Sequence, residues 1–481
     1  MELYKKFYPK NITIDYKSNL FQSLNKINKN GYGIIFVCNK KLLMGVVSDG
    51  DIRRFLIKNN KINLKKILIH KIIKRDFYFY YDNKVSNKKF KPYLKIIPVI
   101  NKNKHLLGFV KNIDSFIPIY QPYLLGNEKK YINNAFNDKW ISSSGEYVYK
   151  FEKKFQKFIG SKNALTVNNG TSALHLAYLS LGIKPGDEVI LPAFTFGSPI
   201  NVLIQMNVKP IFVDINYKTL CIDEELIERF ITKKTKAIVI VHLYGNTCNI
   251  NKVLILAKKY NLKVVEDCAE AFGTYYNKKH VGNFGDVGTF SFFGNKTIST
   301  GEGGMIVFNN STILKKAILL KNHGMKKSKN YFHIVPGYNF RMTNIQAAIG
   351  YAQLEKVKDI LNKKKIVSNF YKKYFSSSRY FDFPEELKNT TNSYWLFVLI
   401  IKNKKNRESL IKYLSNKGVD IRRTFYSATE IPIFSRYIKN KKLYPISDMV
   451  SNQGVCLPSY PGLNIKQLEK IVSLINFFMT K

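Results

Sequence analysis

Four short apolar runs alternate with helix-like stretches in the middle of the chain, and no other feature restricts the fold as much. The runs are Glu188-Val-Ile-Leu-Pro192, Pro210-Ile-Phe-Val-Asp214, Ala237-Ile-Val-Ile-Val241 and Lys263-Val-Val-Glu-Asp267. They are apolar on both faces, which suits strands covered on each side, and segments such as Lys252 to Tyr260 are suited to crossovers. Strands of this kind joined by helices make a mostly parallel sheet. Ligands of such sheets sit at the carboxyl ends of the strands, so the residues just after these runs are where chemistry is expected.

A chain of 481 residues exceeds what one core absorbs, and its composition marks its divisions. Residues 1–117 read as a small α/β module built twice. Gly33 to Val37 and Leu42 to Val47 form strands, and Ser48-Asp-Gly-Asp51 turns into a helix at Ile52. A second copy follows in the same order, with strands Ile96 to Ile100 and Leu106 to Val110 around the turn Asn101 to Lys104. The proline-bearing stretch from Ile117 to Gly126 reads as a linker. Residues 118–362 hold the parallel-sheet pattern, and 363–481 read as a smaller α+β domain with a strand at Ser393 to Ile401.

The formal charge of +45 names nucleic acid, a membrane surface or acidic metabolites as candidate partners. Its lysines are spread through the whole chain, in runs such as Lys363 to Lys365, without a basic arm. No helix-turn-helix or RNA-binding signature accompanies them, so a general composition bias on solvated faces is expected rather than a nucleic-acid site. A positive surface would still steer a nucleotide-linked sugar. The five scattered cysteines, without a CxxC pair, argue against disulfides or a bound metal and for a reducing compartment. The start MELYKKFYPK lacks an apolar signal core, and no apolar stretch reaches the roughly 18 residues of a membrane helix. A cytoplasmic protein without membrane insertion is the expectation.

Three stretches carry chemistry. In Asn168-Asn-Gly-Thr-Ser-Ala-Leu174 a strand end meets a helix start, where open N–H groups and the hydroxyls of Thr171 and Ser172 suit a phosphate. A plainly capped helix would read the same. Glu266-Asp-Cys-Ala-Glu-Ala-Phe-Gly273 closes a strand and sets Asp267 to pair with a protonated ring nitrogen or to cap the next helix. Both readings stand at this point. The third is Thr289-Phe-Ser-Phe-Phe-Gly-Asn-Lys-Thr-Ile-Ser-Thr-Gly-Glu-Gly-Gly304, with a single lysine between an aromatic strand and a glycine-rich turn. A partly desolvated lysine gives up its proton more readily and forms Schiff bases, so Lys296 is the candidate nucleophile. Ser291, on the face of Phe293, has a hydroxyl to offer a phosphate.

These stretches, with Trp140 to Gly145, His242-Leu-Tyr-Gly245 and Gly337-Tyr-Asn-Phe-Arg-Met-Thr343, resemble the sugar aminotransferases of the DegT/DnrJ/EryC1/StrS family. The resemblance spans about residues 120 to 480. It implies the pyridoxal-phosphate-dependent transferase fold of type I, an α/β fold with a large sheet domain and a small C-terminal one. It implies that Lys296 carries the cofactor and moves the proton, and that Asp267 keeps the pyridine nitrogen protonated. Phe196 stacks on the ring; Gly170, Thr171, Ser172 and Ser291 hold the phosphate; Glu270 lies near the ring and the reacting sugar. Asn339 reaches the cofactor of a neighbouring subunit, which implies a homodimer. Relatives that dehydrate the sugar carry His at the position of Lys296, so transamination is implied here.

Within the family, EDCAEAFG, SFFGNKT and GYNFRMTNIQAAIG are most similar to enzymes that aminate carbon 4 of a GDP-linked 4-keto-6-deoxy-mannose with glutamate. A UDP- or dTDP-linked sugar, or carbon 3, is the rival expectation. The N-terminal module resembles a pair of CBS domains: Gly45-Val-Val-Ser-Asp-Gly-Asp-Ile-Arg-Arg54 matches the end of such a motif, and Asp49 and Asp51 there imply a nucleotide's ribose. The second copy has Gly108-Phe-Val-Lys-Asn-Ile-Asp114, which argues against a second nucleotide site. A pair serving only assembly is the alternative, and a non-catalytic nucleotide-sensing protein is the reading from another class.

Overall fold

The computed structural model describes residues 11–59, 63–81, 96–111, 116–326, 328–329, 331–403 and 406–480. The chain divides into two compact units, Met1–Pro118 with Lys412–Asp420, and Ile119–Ile411 with Ile421–Lys481.

The duplication read from the sequence is visible in the first unit. Strands Thr13–Asp15, Ile34–Asn39 and Leu42–Ser48 form one three-stranded sheet, and Tyr80–Tyr81, Ile96–Ile100 and Leu106–Lys111 form another. Each has a parallel first pair and an antiparallel second pair. Each hairpin slips register at the corresponding point, between Val37 and Cys38 and between Val99 and Ile100. The two hairpins bond reciprocally: the Leu43 N–H donates to the Lys104 carbonyl at 3.0 Å and the Leu106 N–H to the Lys41 carbonyl at 2.9 Å. That reciprocity relates the two halves by a local two-fold. Two local expectations shift. The helix Asp49–Lys58 begins at Asp49 rather than Ile52, because Ser48 is its N-cap and Asp51 completes a capping box. Ile117 is not linker: its N–H donates to the Gly418 carbonyl at 2.8 Å, and its carbonyl accepts from the Asp420 N–H at 2.9 Å.

The second unit is built on a seven-stranded sheet. Its strands are β1 (Ala164–Val167), β2 (Glu188–Pro192), β3 (Lys209–Val213), β4 (Thr235–Val241), β5 (Lys263–Asp267), β6 (Val287–Ser291) and β7 (Gly304–Phe308). The spatial order is β1-β7-β6-β5-β4-β2-β3, with β7 antiparallel to both neighbours and the remaining pairs parallel. Each of the four apolar runs is a strand of this sheet. The crossover helix Gly170–Ser180 packs on β6 and β7 and lies between helices Ser198–Gln205 and Ser311–Lys321. Being enclosed, it is apolar around most of its girth, with Ala173, Leu174, Leu176, Ala177 and Tyr178 all buried.

Helix Glu146–Ile159 shows the other pattern, a stripe of Tyr147, Phe151, Phe155 and Ile159 at every fourth position. Phe155 meets the rings of Phe272, Phe290 and Phe292, so this stripe packs behind β6. Helix Asn344–Glu355 approaches closely because Gly350 faces the Phe151 ring, where a Cβ would stand 2.5 Å away.

The C-terminal portion adds a four-stranded antiparallel sheet of Phe381–Asp382, Phe397–Ile401, Gly454–Leu457 and Arg422–Arg423, in that order. The expected strand from Ser393 starts only at Phe397, because Tyr394 takes a positive φ of 51° that breaks the extended run. The expected division at residue 362 falls inside the continuous helix Val357–Phe375. Among the described residues no helix is long and apolar enough to cross a membrane.

Candidate active site

A cavity of about 430 Å³ opens in the second unit, lined by residues that follow the carboxyl ends of β1, β2, β4, β5 and β6. This is where a parallel sheet presents its loops to a ligand. The β1 loop brings Gly170 and Thr171, β2 brings Thr195, Phe196 and Ser198, and β5 brings Asp267 and Glu270. The β6 loop brings Ser291, Phe293 and Lys296, and Trp395 and Phe425 come from the C-terminal portion.

One end of the cavity is built for an anion. Asn169 caps the helix Gly170–Ser180 through the Ser172 N–H at 2.8 Å, and the earlier N–H groups of a helix start have no partner within the helix. The hydroxyls of Thr171 and Ser198 lie 3.0 Å apart beside them. Ser291 faces Gly170 so closely that a Cβ on the glycine would stand 2.8 Å from the Ser291 Cβ. Backbone donors, a helix dipole and hydroxyls thus converge where a phosphate is readily held.

The acidic wall depends on strand alternation. Glu266 and Asp267 are consecutive, so their side chains leave β5 on opposite faces. Glu266 accepts from the N–H groups of Gly282, Phe284 and Gly285, each at 2.7 Å, and sits 3.1 Å from His242 Nε2. Burial pushes its carboxyl up, yet the His242 ring and these backbone donors outweigh burial and hold it below the usual range. His242, Glu266 and Cys268 bring their ligand-type atoms within 4.8 Å of one another, but the Glu266 oxygens are already filled by these donors. Asp267, on the other face, lines the cavity and accepts from the Ala269 N–H at 3.0 Å. Burial pushes its carboxyl up, opposed by that N–H and by the charges of Lys296 and His242. A cation placed opposite would hold it ionised.

Lys296 lies on the loop after β6, its N–H bonded to the Phe293 carbonyl at 2.9 Å. Its side chain is only 15% exposed, with Nζ 3.6 Å from Glu270 Oε1 and 4.2 Å from the centre of the Trp395 ring. A buried carboxylate on one side and an indole face on the other leave the amine pointing into the cavity. Glu270 also accepts from the Tyr244 N–H at 2.9 Å. Burial pushes the Glu270 carboxyl up to about 7, against the pull of Lys296 and that N–H. Glu270 is therefore a buried carboxyl poised close to neutrality beside the Lys296 amine.

The residues expected from the sequence do not all meet here. Gly170, Thr171, Phe196, Asp267, Glu270, Ser291 and Lys296 line the cavity; Ser172 and Asn339 do not. Ser172 is buried on the helix Gly170–Ser180, and the Asn339 side chain accepts from Arg341 Nε at 2.9 Å. In the first unit, Asp51 is engaged by Arg54 at 2.6 Å, Lys74 at 2.8 Å and the Ser48 cap, whereas Asp49 is half-exposed beside Arg53. Sequence reasoning missed Ser198, Thr195 and Trp395. Ser198 had a signal, a hydroxyl ahead of Pro199 at a helix start. Trp395 had none, since only the fold brings it across.

The cavity suits pyridoxal phosphate on its own terms. Thr195 Oγ1 and Asn295 Oδ1 are buried without a hydrogen-bond partner, and both residues line the cavity, so polar atoms there await a polar ligand. The helix start and hydroxyls would take the phosphate, Asp267 the pyridine nitrogen and Lys296 the aldehyde carbon. When bound, the cofactor supplies the carbonyl that collects an amino group and a ring that acts as an electron sink.

Comparison with known proteins agrees with this geometry. Residues 122–476 match the DegT/DnrJ/EryC1/StrS aminotransferase family. The chain is 45% identical over 363 residues to the GDP-perosamine synthase of Escherichia coli O157:H7, covering 76% of this chain and 98% of that one. It is 43% identical to the GDP-perosamine synthase of Vibrio cholerae, over 75% of this chain and 99% of that one. Among solved structures, Helicobacter pylori PseC, an aminotransferase involved in pseudoaminic acid biosynthesis, is 27% identical with a TM-score of 0.73, covering 76% of this chain and all of that one (100%). Spr1654 from Streptococcus pneumoniae, solved in its PLP form, shares the fold with a TM-score of 0.72 at 24% identity, covering 76% of this chain and 99% of that one. Matched over most of its own length and nearly all of theirs, the chain belongs to the DegT/DnrJ/EryC1/StrS aminotransferase family and works with pyridoxal phosphate.

Proposed function

We propose that this aminotransferase acts as a GDP-perosamine synthase. It would transfer the amino group of glutamate to carbon 4 of a GDP-linked 4-keto-6-deoxy-mannose, in the cytoplasm, for surface polysaccharide biosynthesis. The observation that carries this reading is the 45% identity to a GDP-perosamine synthase across 98% of that enzyme's length.

In this reading Lys296 binds the cofactor and carries the proton between the donor carbon and the sugar carbon. Glu270, 3.6 Å away and titrating near neutrality, receives or returns that proton. Asp267 keeps the ring nitrogen protonated from the opposite wall. Phe196 covers a ring face, and Gly170, Thr171, Ser291 and Ser198 hold the phosphate, with Ser172 helping to shape the helix start. Binding of the nucleotide end orients the keto carbon against Lys296. A homodimer, with Asn339 offered to the neighbouring cofactor, is part of the proposal. Support comes from Asn339 standing outside its own cavity and from Phe196 and Phe293, which line the cavity yet are 59% and 48% exposed. The first unit is proposed as a CBS pair holding a regulatory nucleotide. Its duplicated sheets support this, with Asp49 and Asp51 proposed for the ribose and Asp49 the more exposed of the two.

The test is to incubate the protein with pyridoxal phosphate and glutamate, then with GDP-, UDP- or dTDP-linked 4-keto-6-deoxy sugars, and identify the amino-sugar by mass spectrometry and NMR. A 4-amino product from the GDP sugar alone is expected. Product only from a UDP or dTDP sugar, or from a 3-keto isomer supplied alongside but not from the GDP-linked 4-keto sugar, would overturn the substrate assignment.

A further inference from the structure

Lys364 has no part in the chemistry above, yet it is buried where a lysine is costly. It lies on helix Val357–Phe375 and is 1% exposed. Its Nζ donates to the carbonyls of Trp395 at 3.1 Å and Ser459 at 2.9 Å, and stands 5.6 Å from the centre of the Tyr120 ring. Burial pushes its ammonium down to about 7, and among the described residues its hydrogen bonds go to backbone carbonyls. A methionine of similar reach would fill the same volume without that penalty. What the amine adds is therefore its bonds to the groups around it.

Those groups converge on one place. Trp395 donates its indole N–H to the Asn295 carbonyl at 2.7 Å and lays its ring against Lys296 Nζ. Tyr120 donates its hydroxyl to the Lys296 carbonyl in a short bond. The two successive carbonyls at Asn295 and Lys296 are thus each held by a residue that Lys364 touches. Lys296 stands five residues beyond Ser291, the end of β6, in the turn closed by the bridge between Phe293 and Gly301, so its placement depends on what holds that turn.

We propose that Lys364 is a positioning residue for Lys296, acting through Trp395 and Tyr120. Resting on the assignment of Lys296 as the cofactor lysine, the proposal extends it to what fixes that amine's location. Removing the Lys364 amine frees the Trp395 carbonyl and loosens the Tyr120 ring, and the loop carrying Lys296 then samples a wider range.

The experiment compares Lys364→Met with Tyr371→Phe in the full chain. Tyr371 is equally buried on the same helix and bonds the Pro458 carbonyl at 2.9 Å, next to Ser459, so it matches the structural loss without touching Trp395 or Tyr120. Three quantities are read: the melting temperature without cofactor, the Trp395 emission in a Trp140→Phe background without cofactor, and the rate at which the visible band grows on adding pyridoxal phosphate. Lys364→Met should slow the band's growth about tenfold or more and shift the Trp395 emission, since small misplacements of a reacting group are costly. Tyr371→Phe should leave both within about twofold of wild type at a comparable melting temperature. Wild-type growth of the band in Lys364→Met, or equal slowing in both variants, would overturn the proposal. Should Lys364→Met fail to fold, Tyr120→Phe removes the bond to the Lys296 carbonyl instead, and a wild-type rate of band growth in that variant overturns the proposal equally. Failure of the Lys296 assignment looks different: wild type itself would form no band.

Discussion

Replacing Glu270 by glutamine tests the electrostatics of the cavity without disturbing its shape. The amide keeps an oxygen for the Tyr244 N–H and loses only the charge. In the folded chain burial raises this carboxyl from the ordinary 4.5 to about 7. At about 1.4 kcal/mol per tenfold change in proton affinity, that difference corresponds to about 3 kcal/mol. The sign follows from the proton count. Below pH 4.5 the group is protonated folded and unfolded, and the penalty is absent. Between 4.5 and 7 the folded chain keeps a proton that the unfolded chain sheds, so stability falls as pH rises. Above 7 the full penalty applies. Glu270→Gln should therefore gain on wild type by about 3 kcal/mol between pH 4 and pH 8 in urea unfolding of the cofactor-free protein. Because the side chain is only 5% exposed, solvent screening does not shrink the effect. A gap between the two proteins that stays constant with pH, or narrows toward alkaline pH, would refute the reasoning.

Three further outcomes are expected. Lys296→Ala should form no visible cofactor band and lose turnover by at least about a thousandfold, as removal of a covalent nucleophile does, with product formation as the assay. Gly170→Ala puts a Cβ 2.8 Å from Ser291 and into the phosphate end, so cofactor affinity measured by fluorescence titration should drop about tenfold or more. Asp51→Ala removes a capping box and two ion pairs and should cost about 1 kcal/mol or more in unfolding of the first unit. Since the Asp51 carboxyl is held down at about 2, chiefly by Lys74 and Ser48 against burial, wild type's advantage should be present above pH 4 and fade as pH falls through 2.

Much of this was legible in the residues, for definite reasons. Strands β2 and β5 coincide with the apolar runs at 188–192 and 263–267 because strands enclosed on both faces leave little ambiguity. The lysine loop is legible because an aromatic strand next to glycines leaves Lys296 as its one reactive group. Less was readable where tertiary structure overrides local pattern. The start of the Asp49 helix depended on a cap, not on the apolar periodicity that Ile52 begins. Trp395 and Phe425 reach the cavity from the far side of the chain, with no spacing to announce them. The division expected at residue 362 falls inside helix Val357–Phe375, on which Lys364 is buried by tertiary packing that local pattern does not announce.

Glu266, saturated by three amides from the loop at 282–285, has a consequence for how the protein breathes. One carboxylate holds Gly282, Phe284 and Gly285, so none of those amides exchanges its hydrogen for deuterium unless the bonds to that oxygen pair open. Their exchange therefore follows a single cooperative opening rather than three local frayings. Slow exchange at three loop amides, fifteen or more residues along the chain from Asp267, thus reports how often the bonds to the buried Glu266 carboxylate beside it come apart.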